Sequence, residues 1–173
     1  MKTPTHGDLF DRLGEPTRMR QLARYDLFDP ALMARLDKVS AHTAERLHAP
    51  VSVTSMILDS SQYILGSYGI GGWIAEVQGT PAEWSFCTHT VLAGGPYCIV
   101  DGMTDPVHAG NPLLALSGAR SYAGVPLSDE SGLALGAHCV VDTTPREFTA
   151  EDIDILEEGA GESMRILQEY RVA

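Results

Sequence analysis

The stretch SYAGVPLSDESGLALGAHCVVD at residues 121–142 decides the fold. Its two ends, SYAGVPL at 121–127 and LALGAHCVV at 133–141, are rich in apolar residues and predict two strands. The link SDESG contains Gly132, which is typical of a hairpin with a longer turn. Pro126 lies inside the first strand and indicates an edge or bulged position, because proline cannot donate a ladder hydrogen bond.

A second hairpin is predicted further upstream. It consists of VSVTSMIL at 51–58 and QYILGSYGI at 62–70, joined by the turn Asp-Ser-Ser. A short strand is predicted at 97–100. Hairpins in both halves of the chain imply an antiparallel sheet of five to six strands. The segment 71–84 between them predicts a loose stretch.

Long helices are predicted near both chain ends. Asp29 and Pro30 are typical of a helix start, and leucines then recur at three- and four-residue spacing over roughly five turns. Thr149 predicts the cap of the last helix, with an apolar stripe along 153–170. Short helices are expected at 85–92 and around 112–116. The order predicts an α+β domain with the terminal helices on one face of the sheet and the loops and short helices on the other.

The first 28 residues predict an N-terminal helical extension, and residues 29–170 predict the main domain. Gly14-Glu15-Pro16 interrupts the extension, so we expect a short helix on either side. Its four arginines predict a solvated helix face rather than a binding patch. They are Arg12, Arg18, Arg20 and Arg24.

Composition argues against several classes of partner. The chain has 173 residues and a formal net charge of −11, which repels phosphate backbones and anionic lipids. Nucleic acid and membrane are therefore not expected as partners.

The N-terminus lacks the apolar core of a signal peptide, so we expect a cytoplasmic protein. Three irregularly spaced cysteines do not describe a disulfide framework and should be thiols.

Four segments occur in a characteristic order along the second half of the chain. They are SFCTHTVLAGGPYCIVDGMTDPVHAGNPLL at 85–114, SYAGVPL at 121–127, GLALGAHCVVD at 132–142 and PREFTAEDIDIL at 145–156. Together they resemble the GAF domain family, in the form attached to bacterial histidine kinases and diguanylate cyclases. The resemblance implies a PAS-like fold with a ligand pocket on the sheet face opposite the helices.

The loops over this face supply the candidate binding residues, because small-ligand pockets combine aromatic walls with a few polar groups. These candidates are Trp73, Trp84, Cys87, His89, Asp101, His108, Asn111 and Tyr122. His89 could ligate haem, but a histidine at this position is ordinary for the family segment. The cysteine–histidine neighbours of bilin-binding members are missing. The sequence therefore argues against haem and bilin, and no metal site is expected because no CxxC spacing occurs.

We expect a stand-alone sensory or regulatory domain rather than an enzyme. A small ligand would bind over the sheet and shift the terminal helices between two arrangements. The chain holds no output domain, so a homodimer or a separate signalling protein would carry the output. Two alternatives stay open: a thiol enzyme similar to free methionine-(R)-sulfoxide reductases, and a ligand-free dimerisation scaffold. The reductase alternative lacks that family's key cysteine before SYAGVPL.

Overall fold

One antiparallel sheet with the strand order β3-β2-β1-β6-β5-β4 forms the centre of the computed structural model, which describes residues 6–172. Its strands are β1 (Val51–Ile57), β2 (Ser61–Tyr68), β3 (Gly79–Pro81), β4 (Tyr97–Ile99), β5 (Ser121–Ser128) and β6 (Ala134–Asp142). The two predicted hairpins, β1–β2 and β5–β6, are joined by antiparallel pairing of β1 with β6. The predicted sheet is therefore confirmed.

Helices cover both faces of this sheet. They are α1 (His6–Leu13), α2 (Pro16–Leu22), α3 (Pro30–Leu47), α4 (Gly72–Val77), α5 (Phe86–Ala93), α6 (Pro112–Ser117) and α7 (Ala150–Gln168). Within the described part of the chain, none of the helices is long and apolar enough to span a bilayer.

The prediction of a loose stretch at 71–84 is wrong. This segment forms α4, the strand β3 and a 3-10 turn at Ala82–Trp84. β3 exists because it pairs with β2, with Gly79 opposite Tyr63. Three residues are too few to show a strand periodicity, so the sequence carried no signal for this long-range pairing.

Pro126 lies where β5 has only one partner. It pairs with Ala137 of β6, whereas the pairing of β5 with the short strand β4 ends at Gly124. Beyond Gly124 the other side of β5 is unpaired, so the missing N–H of Pro126 leaves no ladder bond unmade. The register also shifts between Leu127 and Ser128. The predicted edge position is confirmed locally, although β5 is an interior strand.

The terminal helices α3 and α7 pack side by side on one face. Each start is capped as the sequence predicts: the Asp29 carboxylate accepts from the Ala31 amide at 2.8 Å, and Thr149 and Asp152 form a reciprocal capping box. The apolar stripe of α7 packs on the chain's own sheet, with Leu156 and Leu167 fully buried. Homodimerisation through these helices stays a prediction.

A buried polar network ties this helix layer to the sheet. His138 of β6 binds Thr43 of α3 through Nε2 at 2.8 Å and Thr54 of β1 through Nδ1 at 2.7 Å. The adjacent Cys139 faces the other side of the sheet and is 2% exposed. Both residues are buried because both faces of the sheet are covered.

Acid should destabilise the fold, because burial lowers the pKa of His138 to about 4. Below the usual histidine pKa of about 6.5, the unfolded chain takes up a proton that the folded protein does not bind. The free energy of unfolding should therefore fall with decreasing pH, approaching about 1.4 kcal/mol per pH unit. Urea denaturation at pH 7.5, 6.5 and 5.5 measures this slope. His138→Gln should reduce the slope by up to about 1.4 kcal/mol per pH unit and leave the contribution of His89, whose pKa burial also lowers to about 4. Equal slopes in the wild type and in His138→Gln would contradict the role of His138.

The N-terminal helices contact the sheet through Arg18, near the end of β1 and the start of β6. Its guanidinium donates to the carbonyl oxygens of Leu13, Leu135 and Ala134 at 2.9, 3.0 and 3.2 Å, and also to that of Ile57. Only 4% of Arg18 is exposed. The predicted solvated arginine face is therefore wrong for Arg18, which serves to satisfy carbonyls at the ends of strands and helices.

Candidate ligand site

A cavity of about 390 Å³ lies on the sheet face opposite α3 and α7. Side chains from three central strands form its floor: Val51 and Val53 of β1, Ile64 of β2, and Cys139 and Val141 of β6. These positions alternate with the ones that contact the helix layer, as the pleat of a strand requires. The walls are mostly apolar, and Ile70, Trp73, Ile74, Phe86, Leu113, Leu116, Ala119 and Tyr122 contribute to them.

The segment around α4 roofs the cavity. Trp73 and Ile74 line it, yet none of the α4 residues is buried. The roof is connected to β2 through Gly69, whose φ of +81° is one that other residues rarely adopt. A Cβ at Gly69 would lie 2.0 Å from the Pro50 oxygen, so the sharp departure from β2 also requires glycine. Ile70 and Ile74 pack the roof against the apolar residues of this face.

Neutral polar groups form one continuous part of the wall. Thr80 donates to Gln62 Oε1 at 2.9 Å, and Gln62 donates to Ser55 at 3.1 Å. Next to them, the Cys87 amide donates to Ser85 Oγ at 3.2 Å. Across residues 6–172, the cavity lining includes no aspartate, glutamate, lysine, arginine or histidine. This wall can therefore form hydrogen bonds with an uncharged group of a ligand, but it has no charged side chain to pair with an ion.

Two thiols and a phenol meet at the inner wall. The Sγ atoms of Cys87 and Cys139 lie 3.7 Å apart. The Tyr122 hydroxyl contacts Cys87 Sγ at 3.4 Å and Thr90 Oγ1 at 2.7 Å. Burial raises the pKa of Tyr122 well above its usual value, so the phenol stays protonated.

Three of the eight candidate residues, Trp73, Cys87 and Tyr122, line the cavity. Trp84 lies behind the roof and packs edge-on against Trp73, with ring centroids 6.3 Å apart. It supports the wall without forming it. Whether any of these residues contacts a ligand stays a prediction.

His89 and His108 lie away from the cavity lining, in an aromatic cluster with Tyr97. His89 stacks on Tyr97 with ring centroids 5.5 Å apart, and His108 Nε2 bonds the Tyr97 hydroxyl at 2.7 Å. Burial lowers the pKa of both histidines, that of His89 to about 4. Both imidazoles are therefore neutral at physiological pH and pack the loop onto α5.

Asp101 and Asn111 shape the same loop. Asp101 forms a bidentate pair with Arg120, with N–O distances of 2.9 and 2.8 Å. Asn111 caps α6 by accepting from the Leu113 amide, and its own amide donates to the Trp84 carbonyl at 2.9 Å. Neither residue lines the cavity.

Several cavity residues were missed by the sequence reasoning, among them Gln62, Thr80 and Val141. Strand alternation could have suggested Gln62 and Val141, since every second residue of a strand faces the same side. Thr80 belongs to β3, for which no sequence signal existed.

The sequence profile of the GAF domain matches residues 32–164. The match covers well over half of the chain, and the observed sheet, terminal helices and cavity are those the resemblance implied. This chain belongs to the GAF domain family.

Comparison with known proteins finds one similar sequence and several similar structures. A cyclic di-GMP phosphodiesterase of Pseudomonas aeruginosa is 28% identical over 145 residues, which are 83% of this chain and 24% of that protein. The chain thus spans about a quarter of this relative. The GAF domain of a phosphoenolpyruvate-protein phosphotransferase from Coxiella burnetii superposes with a TM-score of 0.68 at 15% identity, covering 88% of this chain and 92% of that one. A type II free methionine-R-sulfoxide reductase from Thermoplasma acidophilum gives a TM-score of 0.65 at 13% identity, covering 82% and 95%.

Proposed function

We propose that this GAF domain is a cytoplasmic sensory module whose cavity binds a neutral small molecule. The observation that carries the proposal is a cavity of about 390 Å³ with aromatic and aliphatic walls and one neutral polar region. That volume lies within the range of small-molecule sites, which is about 300–1,000 Å³.

The ligand is uncharged because the lining residues offer an ion no partner. An unpaired charge moved from water into such a site costs several kcal/mol. Cyclic di-GMP, named for the P. aeruginosa relative, carries two phosphates that would meet no cation here. Free methionine sulfoxide carries an ammonium group that would meet no carboxylate. The same reasoning supports a binding role rather than the reductase role.

Occupancy of the cavity reaches the terminal helices through β6. Cys139 forms part of the cavity floor, and the adjacent His138 contacts α3 through Thr43. Gly159 of α7 lies directly against the His138 ring. A ligand that displaces Cys139 therefore moves the group that spaces α3 from α7, and it shifts the population between helix arrangements if it binds one of them more tightly.

Filling the cavity should abolish binding. Val53→Phe adds an aromatic ring to the cavity floor. The ring projects into the cavity and occupies the space that a ligand needs. Val107→Phe is the matched control, because Val107 is 58% exposed and lies outside the cavity. Thermal shift against metabolites in matched pairs, each a carboxamide and its carboxylate, tests both variants. We expect stabilisation by neutral members in the wild type and in Val107→Phe, and none in Val53→Phe.

Tryptophan emission provides a second readout. Both tryptophans lie at this site, since Trp73 lines the cavity and Trp84 packs on it. A compound that enters the cavity should change the emission of Trp84→Phe, in which Trp73 is the remaining tryptophan.

Thermal stabilisation by the charged members of the panel alone would contradict the proposal. If the panel contains no binder at all, that result would favour the scaffold alternative. Turnover of free methionine sulfoxide with thioredoxin and NADPH would favour the reductase alternative.

A further inference from the structure

The contact between Cys87 and Cys139 has no role in the proposed ligand binding. We propose that these two cysteines form a reversible disulfide on exposure to a small peroxide, and that the wall of the cavity is thereby an oxidation-sensitive site. The inference is independent of the proposed ligand, because it concerns the thiols alone.

The two sulfur atoms are placed for this reaction by the fold. Cys87 lies in the first turn of α5 and Cys139 in the middle of β6, and their Sγ atoms are 3.7 Å apart. A disulfide bond is about 2.05 Å long, so the sulfurs need to close by roughly 1.7 Å. A change of that size is within reach of side-chain rotation and a small shift of the first helical turn.

The surroundings distinguish the two thiols chemically. Hydrogen bonds from Cys139 and Tyr122 lower the pKa of Cys87, and the amide-rich first turn of a helix also favours a thiolate. The pKa of Cys139 is raised because its proton is shared with Cys87 and because it is buried. Because the Tyr122 hydroxyl donates to Cys87 Sγ at 3.4 Å and Cys87 lies in the first turn of α5, Cys87 is the nucleophile and Cys139 is the thiol that resolves the first product.

A small oxidant can reach both sulfurs through the cavity. Cys87 and Cys139 are nearly inaccessible to solvent, but both border the space of about 390 Å³ under the α4 roof. Hydrogen peroxide is neutral and about the size of water, so it suits a lining without charge. Cys98 is the third thiol and is exposed on β4, outside the cavity lining.

The reaction balances as two thiols and one peroxide giving a disulfide and two waters. The Cys87 thiolate attacks one peroxide oxygen, the O–O bond breaks, and the leaving hydroxide takes up the proton that Cys87 had released. Cys87 is now a sulfenic acid. Cys139 then attacks the Cys87 sulfur, the S–S bond forms, and the S–O bond breaks. The hydroxyl group leaves as water with the Cys139 proton.

The test uses the full chain with Cys98→Ser, which removes the exposed thiol and leaves the pair intact. Reduced protein is treated with hydrogen peroxide, unfolded, and labelled with iodoacetamide for mass spectrometry. We expect loss of both labelling sites, a cross-link between the peptides of Cys87 and Cys139, and recovery of both thiols with dithiothreitol.

Two further variants test the order of the steps in the same background. With Cys139→Ser, Cys87 should stop at a sulfenic acid that dimedone traps; with Cys87→Ser, Cys139 should stay a thiol. Wild-type protein provides the check if either variant fails to fold, since its peptide map should show the same cross-link. Oxidation confined to Cys98, or full labelling of both pair thiols after peroxide, would overturn the proposal. Neither result would bear on binding of the carboxamide panel.

Discussion

Gly159→Ala is expected to destabilise the fold by roughly 2–4 kcal/mol, although alanine is the better helix former. A Cβ at Gly159 would lie 2.4 Å from His138 Nε2 and 2.9 Å from Thr43 Oγ1. Both atoms belong to a buried hydrogen bond, so α7 has to move away or that bond has to break. Urea denaturation measured for both proteins gives the difference.

Gly161→Ala is the matched control on the same helix. The nearest atom to a Cβ at Gly161 is a nitrogen of the Arg165 guanidinium at 3.8 Å, which is ordinary contact. Alanine should here stabilise the protein by about 0.5–1 kcal/mol, because it restricts the unfolded chain and favours the helix. Opposite signs for the two substitutions are the expected result. Two stabilising substitutions would mean that α7 does not rest on His138.

Arg18→Met is expected to cost roughly 2–4 kcal/mol, because methionine keeps much of the side-chain volume but donates no hydrogen bond. Four carbonyl oxygens would lose their donor in a buried position, namely those of Leu13, Ile57, Ala134 and Leu135. Removing the buried charge offsets part of this loss, since burial already lowers the pKa of Arg18 to about 10.

Arg20→Met separates this effect from a general effect of charge. Arg20 belongs to the same helix α2 but is exposed, and its guanidinium donates to Thr17 Oγ1 at 3.1 Å. Its replacement should change the free energy of unfolding by less than about 0.5 kcal/mol. Urea denaturation of both variants at one pH makes the comparison. Equal losses would show that the carbonyl contacts of Arg18 contribute little.

The sheet and its covering helices were predictable because their signals are local. The apolar runs at 121–127 and 133–141, and the helix starts at Asp29 and Thr149, each depend on a few neighbouring residues. The structure confirms these elements, including the capping box at Thr149 and Asp152. The same local segments carried the GAF resemblance.

The candidate site was predictable only in outline. The resemblance indicated the correct face of the sheet, and Trp73, Cys87 and Tyr122 lie there. His108 and Asn111 lie in the loop before α6 but face other neighbours, since a loop without a regular repeat does not reveal which side chains point inward. Thr80 was missed because its strand exists only through pairing with β2.

For this protein the sequence by itself determined the strands, the helix starts and the family, through periodicities and caps that short segments carry. Only the tertiary structure decided that Arg18 is buried among carbonyls, that His138 spaces the terminal helices, and that Cys87 lies against Cys139. These last two residues are 52 positions apart. Their contact depends on how α5 crosses β6, and packing between whole elements sets that crossing.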